Sequence, residues 1–556
     1  MAELRSALQK IRFLMRNHKW WGWRRATGSV RRHPFAASRG ASRAIELAAV
    51  IDNAGTRVVR GVLIVAGLYA AAQTAAFYLD YPQGRHRVET AWLIVVSLSV
   101  VVAGFGRRRA PRIAAGTAPV APPSVAWCAA LVASALLLYW PALTIGLLAD
   151  DFVHLARPVA ETLSPAAWQF YRPLPVMVWK PLHAGGGPVA LHGLNIALHG
   201  ASAWLLLRLA VRLGAGRELA WLSAIVFLFF PASVEAVAWA SGIFDVALVF
   251  FGLVFLNAAI APGRAALAFA ALAAALLTKE TAVALPAIAL LLWSRRPQDR
   301  RVIAGAFLLV TAYVLMRTAA GIELPPPAGA GFQYLAKEAL ARPVASLSTP
   351  WTAAELRQHP VALGLLPAVT LLSLVVTRAA GARSPLRPLG SAGWTVVATL
   401  PLLGAFFVAD DLRGSRYLYL PLCGWSLLIA DLLDVRPPGL RRALAWTVGG
   451  LAAAIGTLGV RAHLRPWTEA ATARDRIVIS ARSAIASADC STIAFENVPE
   501  SLNGAYVFVN GLHEALGLDS EVGPSRRSPA CSLVWTGRGF RLDHRSTAPP
   551  GAPVEQ

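Results

Sequence analysis

The chain has 556 residues, of which 56% are hydrophobic and only 15% are charged, and its mean hydropathy is +0.52. Soluble domains carry roughly 25% charged residues, so this composition excludes an ordinary soluble protein and predicts a protein that crosses a membrane many times. The formal net charge of +23 does not indicate nucleic acid as a partner, because the basic residues stand in the gaps between apolar runs, as in the cytoplasmic loops of membrane proteins.

The N-terminal residues 1–57 form a densely basic segment around a tryptophan cluster, Trp20, Trp21 and Trp23. Such a segment is typical of a cytoplasmic tail that lies on anionic lipid, and a docking site for a partner is the alternative. Two apolar runs follow within residues 58–112, and we expect them to form a transmembrane hairpin whose first run is an uncleaved anchor.

A pair of carboxylates follows the next apolar run. Residues 125–149 are uncharged and long enough to cross a bilayer, and Asp150 and Asp151 come directly after them. Because ionisable groups are costly inside hydrocarbon, we expect both acids just outside it, where an enzyme acting on a lipid-carried substrate keeps its carboxylates. His154 would orient one of the acids or an acceptor, and a loop histidine at the lipid headgroups is the alternative.

Arginines divide the other gaps between apolar runs into two sets. One set carries arginines near residues 107–112, 208–217, 264, 295–301, 378–387 and 436–442. By the positive-inside rule these gaps are cytoplasmic, and the other set faces outward. The outward gaps are residues 150–181, 231–245, 279–280, 321–360, 409–416 and everything after 461. The apolar runs predict about thirteen spans in all, about eleven of them in a helical bundle within residues 113–460.

Three polar residues beside an outward gap recur at helical spacing. His192, Asn195 and His199 lie three and four positions apart, so they share one stripe of a helix that enters the membrane. A polar stripe there must face protein or a wet cavity, and hydrogen bonds to neighbouring helices are the alternative to a functional role. Two histidines without a glutamate in a His-Glu-x-x-His arrangement are a weak signal for a metal site.

Lys279 and Glu280 interrupt an apolar stretch at residues 265–294. One helix of that length would be about 45 Å long, too long for a ~30 Å hydrocarbon core, so we expect two short spans or a re-entrant pair. Lys279 would then hold a phosphate, oriented by the neighbouring acid, and a self-neutralising pair at an interfacial turn is the alternative. Arg416 opens a later span from the same side and suits a phosphate through bidentate hydrogen bonds, with an ordinary snorkelling arginine as its competitor.

Residues 461–545 have a different pattern. Their apolar runs shrink to strand length at residues 505–509 and 532–535, turn signals occur at 510–511 and 537–539, and a short helix is predicted near 513–516. We expect a small periplasmic α/β domain that selects the acceptor or shields the outward cavity, followed by a disordered tail at residues 546–556. In an oxidising compartment Cys490 and Cys531 would form a disulfide.

Several of these pieces occur in an order that resembles a known family. The resemblance is to the membrane portion of the TMTC-type protein O-mannosyltransferases, and more broadly to the GT-C glycosyltransferases, over roughly residues 125–460. It is carried by the acid pair after a span, Tyr171-Arg172-Pro173-Leu174, the His192/Asn195/His199 stripe, Thr278-Lys279-Glu280 and Arg416-Tyr417-Leu418-Tyr419-Leu420-Pro421. The chain departs from that family in carrying a small domain in place of a long tetratricopeptide array, and in its extra N-terminal hairpin.

The resemblance implies an all-α, GT-C-like bundle in a bacterial inner membrane. It would transfer a sugar, with inversion, from a polyprenyl-phosphate carrier to a protein, glycan or lipid acceptor on the periplasmic side. Asp150 or Asp151 would act as the base or hold a divalent cation, Mg²⁺ or Mn²⁺, so metal dependence stays open. The residues implied to bind substrate and phosphate are Arg172, Lys279, Glu280 and Arg416, and those implied to support them are His154, Tyr171, His192, Asn195, His199 and Tyr419.

Two other functions stay open at this point. An O-antigen polymerase or ligase also has many spans and outward arginines, but it normally concentrates its chemistry in one large late loop. A transporter or flippase of lipid-linked saccharide would place polar groups near the bilayer midplane on interrupted helices, often with internal repeats. The sequence shows no clear repeat and its acid pair follows an early span, which favours the transferase.

Overall fold

The computed structural model describes residues 123–167, 170–293, 300–321, 342–358, 386–402, 407–435, 438–487, 492–518 and 530–544. These residues are largely helical, 75% of them in helices, with a small strand region at the C-terminal end. They belong to one compact unit. The basic segment expected at residues 1–57, the hairpin at 58–112, Cys490 and the tail at 546–556 lie outside the described residues.

The first described helices are the apolar helix before the acid pair and the four helices that follow it. They are α1 (Val125–Tyr139), continued by a 3-10 turn at Trp140–Thr144, α2 (Asp150–Ala156), α3 (Val159–Leu163), α4 (Pro173–Arg212) and α5 (Arg217–Leu228). Helix α4 begins at Pro173, whereas the sequence predicted a loop up to Pro181. The helix can begin there because proline fits the first turn of a helix, where its missing N–H is not needed. It bends at Gly187, whose φ of 60° interrupts the helix before Pro188.

The middle of the chain is broken into short helices next to its charged residues. In order they are a 3-10 turn at Pro231–Ser233, α6 (Val234–Ala238), a 3-10 turn at Ala240–Gly242, α7 (Ile243–Ile260), α8 (Ala265–Leu276), a 3-10 turn at Glu280–Ala284, α9 (Leu285–Trp293) and α10 (Arg300–Ala319). The break at Lys279 agrees with the two short apolar pieces read from the sequence. It keeps the lysine charge out of a continuous apolar helix.

The remaining helices complete the helical part. They are α11 (Arg342–Ser348), α12 (Ala353–Gln358), α13 (Leu386–Val397), α14 (Tyr419–Leu432) and α15 (Pro438–Ser487), with 3-10 turns at Leu400–Leu402 and Ser415–Leu418. Helix α15 is 50 residues long and runs through the expected domain boundary between residues 460 and 461. Its first half is apolar, whereas its polar second half stays helical because it packs on the strand region. The strands therefore begin only at Thr492.

The strand region contains two small sheets and one short helix. Its elements are β1 (Thr492–Glu496), β2 (Ser501–Leu502), β3 (Ala505–Tyr506), α16 (Leu512–Leu516), β4 (Ala530–Trp535) and β5 (Phe540–His544). In the sheet of order β1-β4-β5, β1 is parallel and β5 antiparallel to β4, and β2 pairs with β3 antiparallel. The turn signal at residues 537–539 joins β4 to β5, with Gly537 at φ 87°. The small strand region and its short helix are thus confirmed, but the apolar run at residues 505–509 forms a strand only at Ala505–Tyr506.

Within the described ranges, five helices are long and apolar enough to cross a membrane. They are Val125–Thr144, Pro173–Arg212, Ala240–Ile260, Arg300–Ala319 and Pro438–Ser487. A sixth is counted if α5 and Pro231–Ala238, which meet at a 52° bend, form one span. Among these residues Ala265–Leu276 and Glu280–Leu292 are apolar but shorter.

Candidate functional site

The acid pair is preceded by a loop, residues 145–149, that we call the acid loop. Arg474 of α15 reaches this loop and donates through Nη1 to the carbonyl oxygens of Ile145 at 3.0 Å and Leu147 at 2.6 Å. Carbonyl groups away from a helix or strand need such partners when they are buried. The guanidinium therefore fixes the path along which the chain enters α2.

Asp151 anchors the acid loop from inside the protein. Its side chain is 0% exposed, and its Oδ2 accepts the Leu148 N–H at 2.8 Å. Its Oδ1 accepts both the N–H and the hydroxyl of Ser241, at 2.7 and 2.5 Å. Burial raises the pKa of Asp151 to about 7 against the effect of these hydrogen bonds, and the Asp150 charge adds to the rise. The carboxylate thus joins the acid loop to the Ala240–Gly242 turn.

Asp150 is partly exposed and contacts the strand region. Its Oδ1 accepts a 2.6 Å hydrogen bond from Nδ2 of Asn510. The residue before it is held from the same region, because the Ala149 N–H donates to the Val507 carbonyl at 3.0 Å. Ala149 has φ 48° and ψ −118°, a conformation that residues other than glycine rarely adopt. Of the two adjacent acids, Asp150 is therefore the one whose side chain is partly accessible, whereas Asp151 is buried.

Two of the predicted cations pair with carboxylates from different parts of the chain. Arg172 donates to Glu280 through Nε at 3.0 Å and Nη2 at 2.5 Å, a bidentate arrangement. Lys279 donates through Nζ to Asp245 of α7 at 2.6 Å. Lys279 and Glu280 are therefore not simply a pair that neutralises itself, because each has a partner on another element.

The third predicted cation, Arg416, forms an ion pair through Nη1 with Glu235 of α6. The same nitrogen donates to the hydroxyl oxygen of Tyr506 at 3.0 Å. Glu235 is almost fully buried, and its second oxygen accepts the Ser415 hydroxyl at 3.2 Å. The guanidinium carbon lies 5.1 Å from the ring centroid of Trp239, within the range of a cation–π contact.

Aromatic rings connect the three pairs. The Tyr417 ring lies 5.3 Å from Lys279 Nζ and 5.0 Å from Arg416 Cζ, so both cations contact the same ring. The Phe244 ring, next to Asp245 in sequence, lies 5.1 Å from Arg172 Cζ. We call this group the cation cluster, consisting of Arg172, Lys279 and Arg416 with their partners Glu280, Asp245 and Glu235.

Trp239 connects the acid loop to the cation cluster. Its Nε1 donates to the Leu148 carbonyl at 3.2 Å, and the N–H of the same leucine donates to Asp151. The tryptophan ring contacts Arg416 on one side and lies 4.9 Å from the Tyr506 ring. Asp151 and Arg416 are thus linked through the Leu148 backbone and the Trp239 side chain. The structure brings the predicted acids and cations together.

The polar stripe on α4 faces protein and is completely buried. His192 Nε2 lies 2.9 Å from the Gly146 carbonyl oxygen of the acid loop. Asn195 donates through Nδ2 to the carbonyls of Trp239 at 2.8 Å and Ala240 at 3.1 Å. Both residues therefore bond to the two loops that carry Asp151 and its serine partner, which are hydrogen bonds within the protein, the alternative that the sequence left open.

Two tyrosines of the predicted supporting set also bond within the protein. The Tyr419 hydroxyl lies 2.6 Å from His199 Nδ1, and His199 Nε2 lies 3.0 Å from the Leu228 carbonyl oxygen. This chain of contacts joins α4, α5 and α14. Tyr171 donates to the Leu163 carbonyl at 3.4 Å, a long hydrogen bond between α3 and the residue before Arg172.

His154 packs edge-on against Phe244, one of the aromatic rings beside the cation cluster, with ring centroids 4.8 Å apart. Burial, followed by the charges of Arg157, Arg172 and Lys180, lowers the pKa of His154 to about 3. The imidazole is therefore neutral at physiological pH. In that form it adds no positive charge to the site.

Sequence reasoning singled out Glu280 but missed the two other carboxylates that pair with the cations. Glu235 and Asp245 lie in the outward gap at residues 231–245, and the available signal was an isolated acid beside a long apolar run, which is costly unless paired. Asn510 and Arg474 gave no comparable signal, because their partners lie 360 and 327 residues away in sequence. Only the packing of the chain brings such residues together.

In the part of the chain that the structure describes, no three His, Cys, Asp or Glu side chains are grouped so that they could hold a metal ion. Comparisons of the chain with protein-family models, with curated proteins and with solved structures found no match. The geometry of the acid loop and the cation cluster is therefore the basis for assigning a function.

Proposed function

We propose that the protein is an integral-membrane glycosyltransferase of the GT-C type, which transfers a sugar with inversion from a polyprenyl-phosphate donor to an acceptor on the extracytoplasmic side. The observation that carries this proposal is the convergence of three cations with the acid loop beside the ends of apolar helices. An acceptor hydroxyl needs a base, and a departing phosphate needs positive charge. The acid loop and the cation cluster supply the two.

Exposed apolar side chains support a membrane location. Leu137 of α1 is 73% exposed and Leu308 of α10 is 70% exposed, and each lies on a helix long enough to cross a bilayer. Large apolar side chains exposed in this way on long apolar helices suit hydrocarbon better than water. We therefore place α1 and α10 at the lipid-facing surface of the bundle.

The contacts between loops support a protein with two distinct faces. The pairs Asp150 with Asn510, Glu235 with Arg416, and Lys279 with Asp245 all join gaps that the arginine pattern assigns to the outward side. The gaps assigned to the cytoplasm meet one another separately, through contacts of Glu218 with Arg441 and Arg442. Two separate sets of contacts are expected if a bilayer lies between them.

Cysteine chemistry supports the same orientation. Cys531 of β4 is disulfide-bonded, whereas Cys128 and Cys423 in the helical part are free thiols. Disulfides persist in oxidising compartments such as the bacterial periplasm and are rare in the cytosol. A strand region on the periplasmic side accounts for this difference.

The cation cluster has the means to bind a phosphate. The Arg172 and Arg416 side chains are each 18% exposed, whereas Lys279 is 4% exposed. The two guanidinium groups therefore reach the surface of the cluster, whereas Lys279 is buried in its ion pair with Asp245. The paired carboxylates hold the cations in place before the donor binds, so little reorganisation is needed when charge develops on the phosphate.

In the proposed reaction, the acceptor hydroxyl oxygen forms a bond to the anomeric carbon while the bond from that carbon to the phosphate oxygen breaks. The hydroxyl proton passes to Asp150, and the bonding electrons leave with the phosphate oxygen, where the cation cluster stabilises them. Phosphate is a good leaving group, so this reaction needs no strong general acid. Asp151 keeps its three donors and sets the position of Asp150.

The test uses the full chain in liposomes with radiolabelled polyprenyl-phosphate hexoses and a cell-envelope extract as the source of acceptors. We expect wild type to release polyprenyl phosphate, and Arg416→Gln to reduce the rate by about 100-fold, as when one charge-stabilising group is lost. The matched control is Arg413→Gln, because Arg413 pairs with Asp411 outside the cation cluster. Adding EDTA to the wild-type assay decides whether a divalent cation takes part.

Two outcomes would overturn the proposal. One is release of polyprenyl phosphate that Arg416→Gln and Asp150→Asn leave unchanged. The other is movement of the lipid-linked sugar across the bilayer without its release from the carrier, which would favour a flippase.

A further inference from the structure

The 505–511 segment of the strand region lies directly against the acid loop. The Val507 carbonyl accepts the Ala149 N–H at 3.0 Å, and Phe508 stacks on Phe152 with ring centroids 6.1 Å apart. Gly511 has φ 85°, and a Cβ atom there would lie 2.3 Å from the Ala149 carbonyl oxygen. Only glycine allows the two backbones to approach so closely.

The same segment sends two polar side chains to the two halves of the proposed site. At one end, Asn510 donates to the Asp150 carboxylate at 2.6 Å. At the other end, the Tyr506 hydroxyl oxygen accepts from Arg416 at 3.0 Å while its ring packs on Trp239. The Cα atoms of residues 506 and 510 are at most ~14 Å apart, because an extended chain spans about 3.5 Å per residue.

We propose that the 505–511 segment is a working part of the reaction site, in which Asn510 positions the base Asp150 and Tyr506 positions the phosphate-binding Arg416. This inference rests on the proposed function. It gives the strand region a direct role in the transfer step, and one short piece of backbone then fixes the separation between the base and the phosphate site.

Backbone contacts hold the segment independently of these two side chains. The Val507 N–H donates to the Glu500 carbonyl at 2.8 Å, and Gly504 lies so close to Asp411 that a Cβ atom would be 2.0 Å from its carbonyl oxygen. The Asn510 side chain is exposed, so its removal takes away no core packing. Variants at residues 506 and 510 should therefore fold, and their kinetics report on positioning.

The experiment measures kcat and KM for polyprenyl-phosphate hexose with the full chain in liposomes. We expect Asn510→Ala to lower kcat by about tenfold with KM changed less than about twofold, because it frees the base but leaves the phosphate site intact. Asn510→Gln, which keeps an amide donor, should restore most of the rate. Tyr506→Phe should raise KM for the donor by about fivefold with little change in kcat.

Arg538→Ala, an exposed substitution in the turn between β4 and β5, is the control from the same region. Melting temperatures confirm that each variant is folded. If wild type is active and Asn510→Ala and Tyr506→Phe have the same kinetics as wild type, the positioning role is overturned and the proposed function stands. The same conclusion follows if both variants change only the kinetic constant that Arg538→Ala also changes. If wild type releases no polyprenyl phosphate, the proposed function fails and this inference fails with it.

Discussion

Asp150 and Asp151 are neighbours in sequence but have different surroundings, which predicts different consequences of the same substitution. Asp151 accepts three hydrogen bonds from Leu148 and Ser241, so Asp151→Asn turns an NH₂ group towards a buried donor and should cost about 1–3 kcal/mol of stability. Asp150→Asn keeps an oxygen for Asn510 and should change stability by less than ~0.5 kcal/mol. Thermal unfolding of both variants measures the difference. Equal melting temperatures would contradict the anchoring role.

The pKa of Asp151 also predicts how stability depends on pH. Burial raises this pKa from its ordinary value of 3.8 to about 7. Between these values the folded protein keeps a proton that the unfolded chain has released, so the contribution of Asp151 to stability is complete below about pH 4 and is lost as the pH rises through about 7. As the pH rises from about 5 to about 8, the melting temperature of wild type should fall relative to that of Asp151→Asn. Parallel curves for the two proteins would argue against a raised pKa.

At the residue scale, the sequence identified the cations but not their partners. Arg172, Lys279 and Arg416 lie in gaps assigned to the outward side, where basic residues are unusual, so they could be singled out. Their pairing could not be predicted, because Arg416 meets Glu235 across 181 residues and Arg172 meets Glu280 across 108. Such pairs depend on which helices pack together, and no local pattern encodes that.

At the scale of elements, helix α15 stabilises the acid loop from the far end of the chain through Arg474. Arg474→Lys leaves a single nitrogen that cannot replace the planar guanidinium beside the Ile145 and Leu147 carbonyls, so we expect a loss of about 1–2 kcal/mol. Amide hydrogens of residues 145–152 should then exchange faster, measured by hydrogen exchange and mass spectrometry.

Arg465→Lys is the control for this change, because Arg465 is exposed on the same helix. Exchange in the acid loop that is equally slow in wild type and in both variants would show that Arg474 is not needed to hold the loop.

The ends of the elements were harder to predict than their existence. Apolar runs located α1, α7 and α15, and the charged break located the pair α8 and α9. The run that ends at residue 460 gave no sign that α15 continues to Ser487, and Pro466 within it would ordinarily mark a break. The helix continues because its second half packs on strands whose position the sequence does not reveal.

At the scale of the whole molecule, the site is assembled from parts that are distant in sequence. The acid loop comes from the end of α1, the cations come from three other loops, and the strand region contacts Asp150 through Asn510. The apolar runs predicted a largely helical chain, which the structure has, whereas the grouping of these distant side chains could not be predicted from any local pattern. The strand region is expected to matter for activity as much as the helical part does.

If a membrane lies between the two sets of loop contacts, helix α15 should begin in the cytoplasm and end outside. Gly439 lies at its exposed beginning and Glu469 is exposed on its polar half. The test uses a Cys128→Ser background, which removes a partly accessible free thiol and leaves the buried Cys423. In this background, Glu469→Cys should react with a membrane-impermeant maleimide in intact spheroplasts. Gly439→Cys should react only after the membrane is permeabilised, because the arginines near it keep that end inside. Labelling of both cysteines from the same side would show that α15 does not cross the bilayer and would remove the separation of faces on which the site depends.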